Sequence, residues 1–386
     1  MKTIPRVPLH EPSFAGREWD YLKECLDTGW VSSGGPFITR FEDALASRLG
    51  VSHAVAVVNG TAALHLGLIV LDVAAGDEVL VPSLTFIATA NSVAYVGAVP
   101  RFVDSESSTL GMDPDALRDW LERHAELMPG GACRNRETGR RIAACVPMHV
   151  FGHPVRMELL LELCGRYGIA VMEDAAESLG STRNGRAMGA FGRLSALSFN
   201  GNKIITTGGG GMVVTNDDAL AARVRHLSTQ AKKDPATYLH DEVGYNYRLT
   251  NLSAALGLAQ LERLDDALAR KRRIAEGYRK GLAGIPGVSL IWEPEGCRSN
   301  FWLNTVRAAT PELAARLRAT LDREGIETRP PWTPCHLQPV FRSESAGSCP
   351  RAEALWRECF NIPSSAHLPD EDVERTCRAI RKEACA

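Results

Sequence analysis

The sequence predicts an α/β fold with a mainly parallel sheet, followed by a smaller α+β region. Between about residues 50 and 230, short apolar segments rich in β-formers alternate with segments of helical period. Such alternation is typical of a parallel sheet with helices on both faces. After about residue 250, a long helical pattern leads into a segment richer in proline, tryptophan and cysteine, which favours a second, smaller domain.

The individual elements follow from periodicity and turn residues. The predicted strands cover residues 53–58, 77–86, 99–104, 142–151, 169–176, 195–200 and 210–217. The predicted helices cover residues 61–71, 87–97, 113–125, 154–168 and, as one long element, 251–285. Asp113 is the expected N-cap of its helix, with Pro114 at the first helical position. We expect an N-terminal arm at 1–20, a large domain at 21–255 and a small domain at 256–386.

Composition and charge indicate a globular enzyme of the cytoplasm. Of the 386 residues, 45% are hydrophobic and 23% are charged, and the formal net charge is −2. This balance gives no electrostatic reason to expect nucleic acid or an anionic membrane as a partner. The N-terminal MKTIPRVPLHEPSF lacks the apolar run of a signal peptide, and no segment has the length and apolarity of a membrane span.

Ten cysteines raise the question of disulfides or metal ligands. They form no CxxC pair and no cluster with histidine. Free thiols in a reducing compartment fit this spacing better than a disulfide framework or a zinc site. We therefore expect no metal.

Ligands of open α/β sheets bind where strands end and loops lead into helices, and four such loops carry unusual residues. The first, Asn59-Gly60-Thr61, offers backbone N–H groups, a hydroxyl and the positive end of a helix dipole, which suit a phosphate. The second ends at Phe86, whose ring could cover a flat ligand. An ordinary N-cap and a core aromatic are the respective structural alternatives.

The third and fourth loops carry charged groups. Asp174 follows Glu173 at the end of an apolar strand, and it can stay ionised beside a cation such as a protonated pyridine nitrogen. A helix cap or a structural ion pair is the alternative. Lys203 stands five residues after Ser198 and precedes four glycines at 208–211. A lysine in a partly desolvated pocket can form a Schiff base, and glycines allow close backbone approach to a ligand.

These features together predict a pyridoxal phosphate site. The glycine run is not a Walker A loop, because the lysine precedes the glycines, and no GxGxxG follows the first strand. A phosphate cradle, a stacking ring, an acid for a ring nitrogen and a lysine for an aldehyde are what pyridoxal phosphate requires.

The same segments resemble the DegT/DnrJ/EryC1/StrS family of sugar aminotransferases. The resemblance runs through TGWVSSGGPFITRFE, VNGTAALHLGL, GDEVLVPSLTFIATANSV, PMHVFGHP, VMEDAAESLGS, SFNGNKIITTGGGGMVVTND and GYNYRLTNLSAALGLAQLE, which is nearly the whole chain. It implies the aspartate-aminotransferase fold (fold type I) with a seven-stranded sheet. It also implies a homodimer with active sites at the subunit interface.

The resemblance implies a role for each matching residue. Lys203 would carry the Schiff base and act as general acid and base, and Asp174 would pair with the pyridine nitrogen. The other cofactor contacts would be Gly60, Thr61 and Ser198 at the phosphate, Phe86 on the ring, Glu177 at the ring hydroxyl, and Asn246 or Arg248 of the other subunit at the phosphate.

Five further residues are candidate contacts for the amino donor or the sugar. For each of them, ordinary loop packing is the alternative. They are Trp30, Ser32, Ser33, Arg329 and His336.

Three positions depart from the broad family pattern: Glu177 where many members have glutamine, Asn200 where many have histidine, and Gly209 where the run is usually GEGG. They resemble the branch that makes 4-amino-4,6-dideoxy-N-acetylglucosamine nucleotides for legionaminic acid or bacillosamine. The implied reaction moves an amino group from L-glutamate to C4 of a UDP- or GDP-linked 4-keto-6-deoxy-N-acetylhexosamine. Alternatives are another keto-sugar aminotransferase, of perosamine type or aminating C3, and a non-catalytic regulatory protein that binds pyridoxal phosphate.

Overall fold

The computed structural model describes residues 6–234, 236–344 and 348–386, so residues 1–5 of the predicted arm lie outside it. The helices are α1 Glu18–Thr28, α2 Pro36–Leu49, α3 Gly60–Val70, α4 Ile87–Tyr95, α5 Pro114–His124, α6 Met157–Arg166, α7 Asp218–Ser228, α8 Asn251–Leu261, α9 Leu264–Leu282, α10 Pro311–Arg323, α11 Pro350–Glu358 and α12 Asp370–Ala384. Helix α1 thus begins inside the predicted arm.

The strands of the described residues are short, and seven of the seventeen belong to one large sheet. They are β1 His53–Val57, β2 Glu78–Pro82, β3 Val99–Val103, β4 Ala125–Leu127, β5 Cys133–Asn135, β6 Ile142–Cys145, β7 Ala170–Asp174, β8 Thr182–Arg183, β9 Arg186–Ala187, β10 Leu194–Ser198, β11 Gly211–Thr215, β12 Lys232–Asp234, β13 Leu239–His240, β14 Val288–Leu290, β15 Cys297–Arg298, β16 Asn304–Ala308 and β17 Cys359–Ile362.

Seven strands form the central sheet in the order β1-β11-β10-β7-β6-β2-β3. The run from β10 to β3 is parallel throughout, whereas β11 is antiparallel to both β1 and β10. β1 therefore points the same way as the parallel strands, and the carboxyl ends of six strands lie along one edge. The α/β class and the mainly parallel seven-stranded sheet are confirmed.

The seven predicted strands are the seven strands of this sheet, although two of the predictions are too long. β2 ends at Pro82 and β6 at Cys145, and the chain then leaves the sheet. Prolines at 82 and 147 lack the N–H group that a continuing strand would need. The predicted cap of α5 is present, because Asp113 Oδ1 accepts a hydrogen bond of 2.9 Å from the N–H of Asp115.

The single long helix predicted at 251–285 is wrong, because the structure has two helices, α8 and α9. The chain leaves helical geometry at Arg263, where φ is −109° and ψ is 10°. Glu262, beside the break, accepts a hydrogen bond of 2.5 Å from the hydroxyl of Tyr21 in α1. Neither proline nor glycine marks the junction. A tertiary contact therefore accompanies a break that the local sequence does not signal.

The C-terminal part of the chain builds a second, three-stranded antiparallel sheet in the order β14-β16-β17. Its apolar core includes Ile274, Leu317 and Phe360. Trp302 and Phe341, by contrast, pack into the core of the large sheet. The predicted boundary at residue 255 falls inside α8, and the domain division remains a proposal.

Two further observations concern the whole chain. None of the described helices combines the length and the apolarity needed to cross a membrane. All ten cysteines are free thiols; eight are buried, Cys297 is partly exposed and Cys385 is exposed.

Candidate active site

A cavity of about 330 Å³ lies beside the carboxyl ends of β1, β2, β7 and β10. The loops that follow these strands are far apart in sequence, and the parallel sheet brings them to one edge. Seven residues predicted to bind the cofactor line the cavity: Gly60, Thr61, Phe86, Asp174, Glu177, Ser198 and Lys203.

Lys203 lies in the turn after β10, with its side chain 13% exposed. Its Nζ is 3.0 Å from Glu177 Oε1 and 4.0 Å from the centroid of the Trp302 ring. The terminal nitrogen is therefore held between a carboxylate and an aromatic face, at the cavity wall.

Glu177 is buried and accepts two hydrogen bonds. Besides Lys203, the backbone N–H of Phe151 donates to Glu177 Oε2 at 2.9 Å. Burial raises the pKa of the Glu177 carboxyl, and the opposing effects of Lys203 and the Phe151 N–H do not reverse that direction. The backbone conformation of Phe151 is unusual, since this buried residue has a φ of +53°. Bulky residues rarely adopt that region, and such strain is often found at functional sites.

Asp174 ends β7 and is also buried. Thr89 in α4 donates a 2.6 Å hydrogen bond to Asp174 Oδ2, and the N–H of Ala176 donates to Oδ1 at 3.2 Å. Burial raises the pKa of Asp174, while the bond from Thr89 lowers it. A cation placed beside this carboxylate would favour its ionised form.

The adjacent Glu173 has a different, structural environment. It accepts hydrogen bonds from the N–H groups of Gly189, Phe191 and Gly192, from the Ser195 hydroxyl, and lies 3.1 Å from His149 Nε2. Burial acts to raise the pKa of Glu173, but these hydrogen bonds outweigh it and the pKa is lowered. Successive strand residues point to opposite faces, so only Asp174 reaches the cavity.

The predicted phosphate end is the beginning of α3. Asn59 caps this helix, because its side chain accepts a 2.7 Å hydrogen bond from the N–H of Ala62. The first N–H groups of a helix have no intrahelical partner, and they form the positive end of the helix dipole. Ser198 borders the same place, and a Cβ on Gly60 would lie only 2.8 Å from the Ser198 Cβ. Gly60 therefore allows the two loops to approach.

The four glycines after Lys203 are not equivalent. A Cβ on Gly211 would lie 2.5 Å from the carbonyl carbon and oxygen of Asn59, and one on Gly210 would collide with the side chain of Thr207. A Cβ on Gly209 would find its nearest atom at 3.9 Å. Gly211 is thus the position at which β11 packs directly against the start of α3.

Aromatic rings line another part of the cavity. Phe86 precedes α4 and is 50% exposed in the single chain. Its ring centroid is 6.2 Å from that of Trp332, which in turn lies 4.8 Å from Phe151. Phe86 is therefore placed where it can cover one face of a flat ligand, as the sequence predicts.

Asn246 and Arg248 do not line the cavity of their own chain. Arg248 Nη1 donates to Glu42 Oε1 at 2.6 Å, and its side chain is 13% exposed. Asn246, in contrast, is exposed. Their contacts with the phosphate of another subunit stay predictions.

The five candidate substrate contacts also lie outside the cavity lining. Trp30, Ser32 and Ser33 are exposed, and the loop is fixed by Asn251, which donates to the carbonyls of Trp30 and Ser32. Arg329 is 66% exposed and pairs with Glu327 at 2.8 Å. His336 is buried, with Nδ1 2.5 Å from Ser83 Oγ and Nε2 3.4 Å from Glu353. Their roles as substrate contacts remain predictions.

Several residues of the site are absent from the sequence-based prediction. Trp302 and Trp332 line the cavity, and Thr89 bonds to Asp174. Thr89 lies in the first turn of α4, close after Phe86, and this place near a strand end is the signal that the sequence offers. The tryptophans come from the C-terminal part of the chain, and no local spacing connects them to Lys203.

One cluster among the described residues has the spacing of metal ligands, and it lies outside the cavity. His226, Asp241 and Glu242 offer ligand atoms within 4.8 Å of one another. Arg223 already pairs with Glu242, and His226 Nε2 is 2.7 Å from Asp241. The group is an ion-pair network on the surface.

Known proteins are similar to this chain in fold and in sequence. A family model described as the DegT/DnrJ/EryC1/StrS aminotransferase family matches residues 12–381. GDP-perosamine synthases of Caulobacter vibrioides and Escherichia coli O157:H7 are 41% and 40% identical, over 98% and 97% of this chain and 99% and 98% of theirs. DesV of S. venezuelae has 33% identity and a TM-score of 0.88, over 98% of this chain and 99% of its own.

Fold and site together define an aminotransferase of fold type I that depends on pyridoxal phosphate. The chain belongs to the DegT/DnrJ/EryC1/StrS aminotransferase family.

The residues present fit this cofactor. The helix start at Gly60 and Thr61, with the Ser198 hydroxyl, offers donors for a phosphate, and Asp174 is a buried carboxylate without a cationic partner in hydrogen-bonding distance among the described residues. Lys203 and Phe86 line the space between them. The cavity therefore contains groups suited to the ring, the phosphate and the aldehyde.

Proposed function

We propose that this enzyme transfers the amino group of L-glutamate to C4 of a nucleotide-linked 4-keto-6-deoxyhexose. The observation that carries the proposal is the placement of Lys203 Nζ between Glu177 and Trp302 at the wall of a cavity that also contains Asp174. The GDP-perosamine synthases among its relatives, at 41% and 40% identity, support a perosamine-type acceptor.

Each residue of the site would have a distinct task. Bound pyridoxal phosphate supplies an electron-withdrawing ring for the carbon that carries the amino group. Lys203 Nζ would remove the proton from that carbon and deliver it to the former aldehyde carbon of the cofactor, as amino-group transfer requires, and Glu177 would orient the amine. Asp174, held by Thr89, would keep the ring nitrogen protonated. Gly60, Thr61 and Ser198 would bind the phosphate, and Phe86 would exclude water from one ring face.

A second candidate acceptor is a UDP- or GDP-linked 4-keto-6-deoxy-N-acetylhexosamine. The observation that favours it is the combination of Glu177, Asn200 and Gly209, which resembles the legionaminic acid and bacillosamine branch. Asn200 lines the cavity, with its Nδ2 donating to Asn202 Oδ1 at 3.0 Å. Assays with both acceptors, followed by product analysis, decide between them. Amination at C3 would contradict either proposal.

We further propose a homodimer in which Asn246, rather than Arg248, reaches the phosphate of the other subunit. Arg248 is engaged by Glu42 within its own chain, whereas the Asn246 side chain is exposed. The exposure of Phe86, a ring with a proposed role at the cofactor, supports a site that a second subunit completes.

The proposed catalytic base is tested by Lys203→Ala. We expect turnover to fall by at least about a hundredfold, because positioned acid and base groups contribute that much or more. The variant should keep the wild-type circular dichroism spectrum, since Lys203 lies in a turn at the cavity wall and not within a helix or strand. Lys232→Ala, a change at a lysine of β12 outside the cavity, is the matched control. Undiminished turnover in Lys203→Ala would refute the assignment.

A further inference from the structure

Trp302 borders Lys203, and no part of the proposed reaction yet uses it. The Lys203 Nζ lies 4.0 Å from the centroid of the Trp302 ring, which is the range in which a cation is attracted to the face of an indole. The ring is only 4% exposed. Little water is available to compete for the ammonium on that side.

Hydrogen bonds fix the position of Trp302. Its indole Nε1 donates to the carbonyl of Asn202 at 2.7 Å, so the ring is tied to the turn that carries Lys203. Its own carbonyl accepts a 3.0 Å hydrogen bond from Nζ of Lys271, a buried lysine that also donates to the carbonyl of Ser364 at 2.7 Å. Burial lowers the pKa of Lys271 to about 7. The ring is thus anchored at both its side chain and its backbone.

Asn300 links Trp302 to the other wall of the lysine pocket. Its Oδ1 accepts from the N–H of Trp302 at 2.8 Å, and its Nδ2 donates to the carbonyl of Glu177 at 2.8 Å. Between them, the buried Phe301 has a φ of +46°, in a region that bulky side chains rarely adopt. A Cβ on Gly152 would lie 1.8 Å from Asn300 Oδ1, so glycine is required there. The Asn300 side chain therefore ties the backbone of Glu177 to the backbone of Trp302.

We propose that Trp302 is a positioning residue for Lys203, whose ammonium it holds on its indole face whenever that amine is not bonded to the cofactor. The inference rests on the proposed function, in which the lysine is released while the cofactor carries the amino group. A released lysine would otherwise be free to sample many rotamers. Held between Trp302 and Glu177, it stays within reach of the carbon whose proton it moves.

Three other titratable groups face this lysine. Glu177 contacts it directly, and Asp174 and His10 interact with its charge. His10 also lies beside Trp302, with ring centroids 6.4 Å apart. A change at Trp302 alone leaves these groups in place, so its effect on the lysine can be measured against an unchanged background.

The test uses cofactor-free protein and follows attachment of added pyridoxal phosphate to Lys203 by absorbance, with borohydride trapping and mass spectrometry to identify the lysine. Only the uncharged amine attaches, so the pH of half-maximal attachment rate reports how strongly the pocket holds the ammonium. In Trp302→Leu, which removes the aromatic face, we expect this pH to move toward acid by about one unit.

Trp302→Phe separates the ring face from the indole hydrogen bond. Phenylalanine keeps a weaker aromatic face and loses the bond to Asn202, so we expect a smaller acid shift than in Trp302→Leu. It also keeps the test available if Trp302→Leu does not fold. Trp120→Leu, at a buried tryptophan of α5 that does not line the cavity, is the matched control and should show no shift.

The outcomes distinguish this inference from the proposed function. If wild-type protein forms no adduct at Lys203, the proposed function fails. If it does, and both Trp302 variants have the wild-type midpoint, the role of Trp302 is refuted. Equal shifts in the two variants would also overturn it, because the hydrogen bond to Asn202 would then account for the whole effect.

Discussion

At the scale of single residues, Thr89 provides the shorter of the two hydrogen bonds to the Asp174 carboxylate. Its carboxylate is buried, and burial raises its pKa, which opposes the ionised form that a protonated ring nitrogen needs. The hydroxyl of Thr89 donates to Oδ2 at 2.6 Å and lowers that pKa. Thr89 therefore helps to keep Asp174 charged without contacting the cavity itself.

Thr89→Val removes this hydroxyl and preserves the shape of the side chain. Since the hydrogen bond lowers the pKa of Asp174, its loss should raise that pKa. As the pH falls, Asp174 gains a proton at its pKa and its attraction for the ring nitrogen is lost. Cofactor retention should therefore fail at a pH about one unit higher than in the wild type. Spectrophotometric titration of cofactor release from neutral to acid pH measures the shift.

Ser92→Ala is the matched control for this experiment. Ser92 is buried in the same helix, and its hydroxyl donates to the Thr89 carbonyl at 2.8 Å without reaching Asp174. Its pH dependence should equal that of the wild type. If Thr89→Val also retained its cofactor as the wild type does, ionisation of Asp174 would not control retention.

The site residues that the sequence predicts are those whose loops lie at strand ends. Gly60, Phe86 and Lys203 follow β1, β2 and β10, and Asp174 ends β7, so strand order alone brings them to one edge of the mainly parallel sheet. Trp302 could not be predicted in this way. Its position depends on how the C-terminal part of the chain folds back, and its bond to Asn202 spans 100 positions.

At the scale of elements, β11 is packed against the start of α3 through Gly211. Gly211→Ala would place a Cβ 2.5 Å from the backbone of Asn59, which cannot rotate away as a side chain can. We expect the free energy of unfolding to fall by about 1–3 kcal/mol, as for other overpacked positions. Cofactor affinity should fall with it, because Asn59 caps the helix at the phosphate. Chemical denaturation and cofactor titration measure the two effects.

Gly209→Ala is the natural comparison, since the nearest atom to its Cβ would be 3.9 Å away. We expect its stability to match the wild type within about 0.5 kcal/mol. Equal destabilisation by the two substitutions would refute the packing role of Gly211.

Local sequence is sufficient to predict some of the elements but not the boundary between others. Apolar segments of strand length, alternating with segments of helical period, correctly predict all seven strands of the central sheet. The break between α8 and α9 has no proline or glycine to signal it, and the contact of Glu262 with Tyr21 comes from a distant helix. Local periodicity continues through a break of this kind, so the two helices appear as one.

At the scale of the whole molecule, the proposed dimer can be tested by complementation. Lys203→Ala and Asn246→Asp inactivate different parts of a shared site, the second by placing a carboxylate beside the phosphate. Coexpressed in equal amounts, they should form heterodimers in half of the assemblies, each with one intact site. We expect about a quarter of the wild-type activity.

The separately purified variants, mixed without subunit exchange, are the control and should show only their own residual activities. Sedimentation equilibrium of the coexpressed sample verifies the oligomer. Coexpressed protein with no activity above the two single variants would contradict a site shared between subunits.

The pocket of Lys203 also has a consequence for biosynthesis. The strands that carry Lys203, Asp174 and Gly60 are complete once the chain has passed residue 215, and the sheet they form contains no strand from later positions. The position of Trp302, however, depends on Lys271, whose Nζ donates to the carbonyls of both Trp302 and Ser364. During synthesis on the ribosome, Lys203 is therefore made long before the residues that fix Trp302 beside it. We therefore expect the vitamin B6 cofactor to meet the complete lysine pocket only after Ser364 has been synthesised.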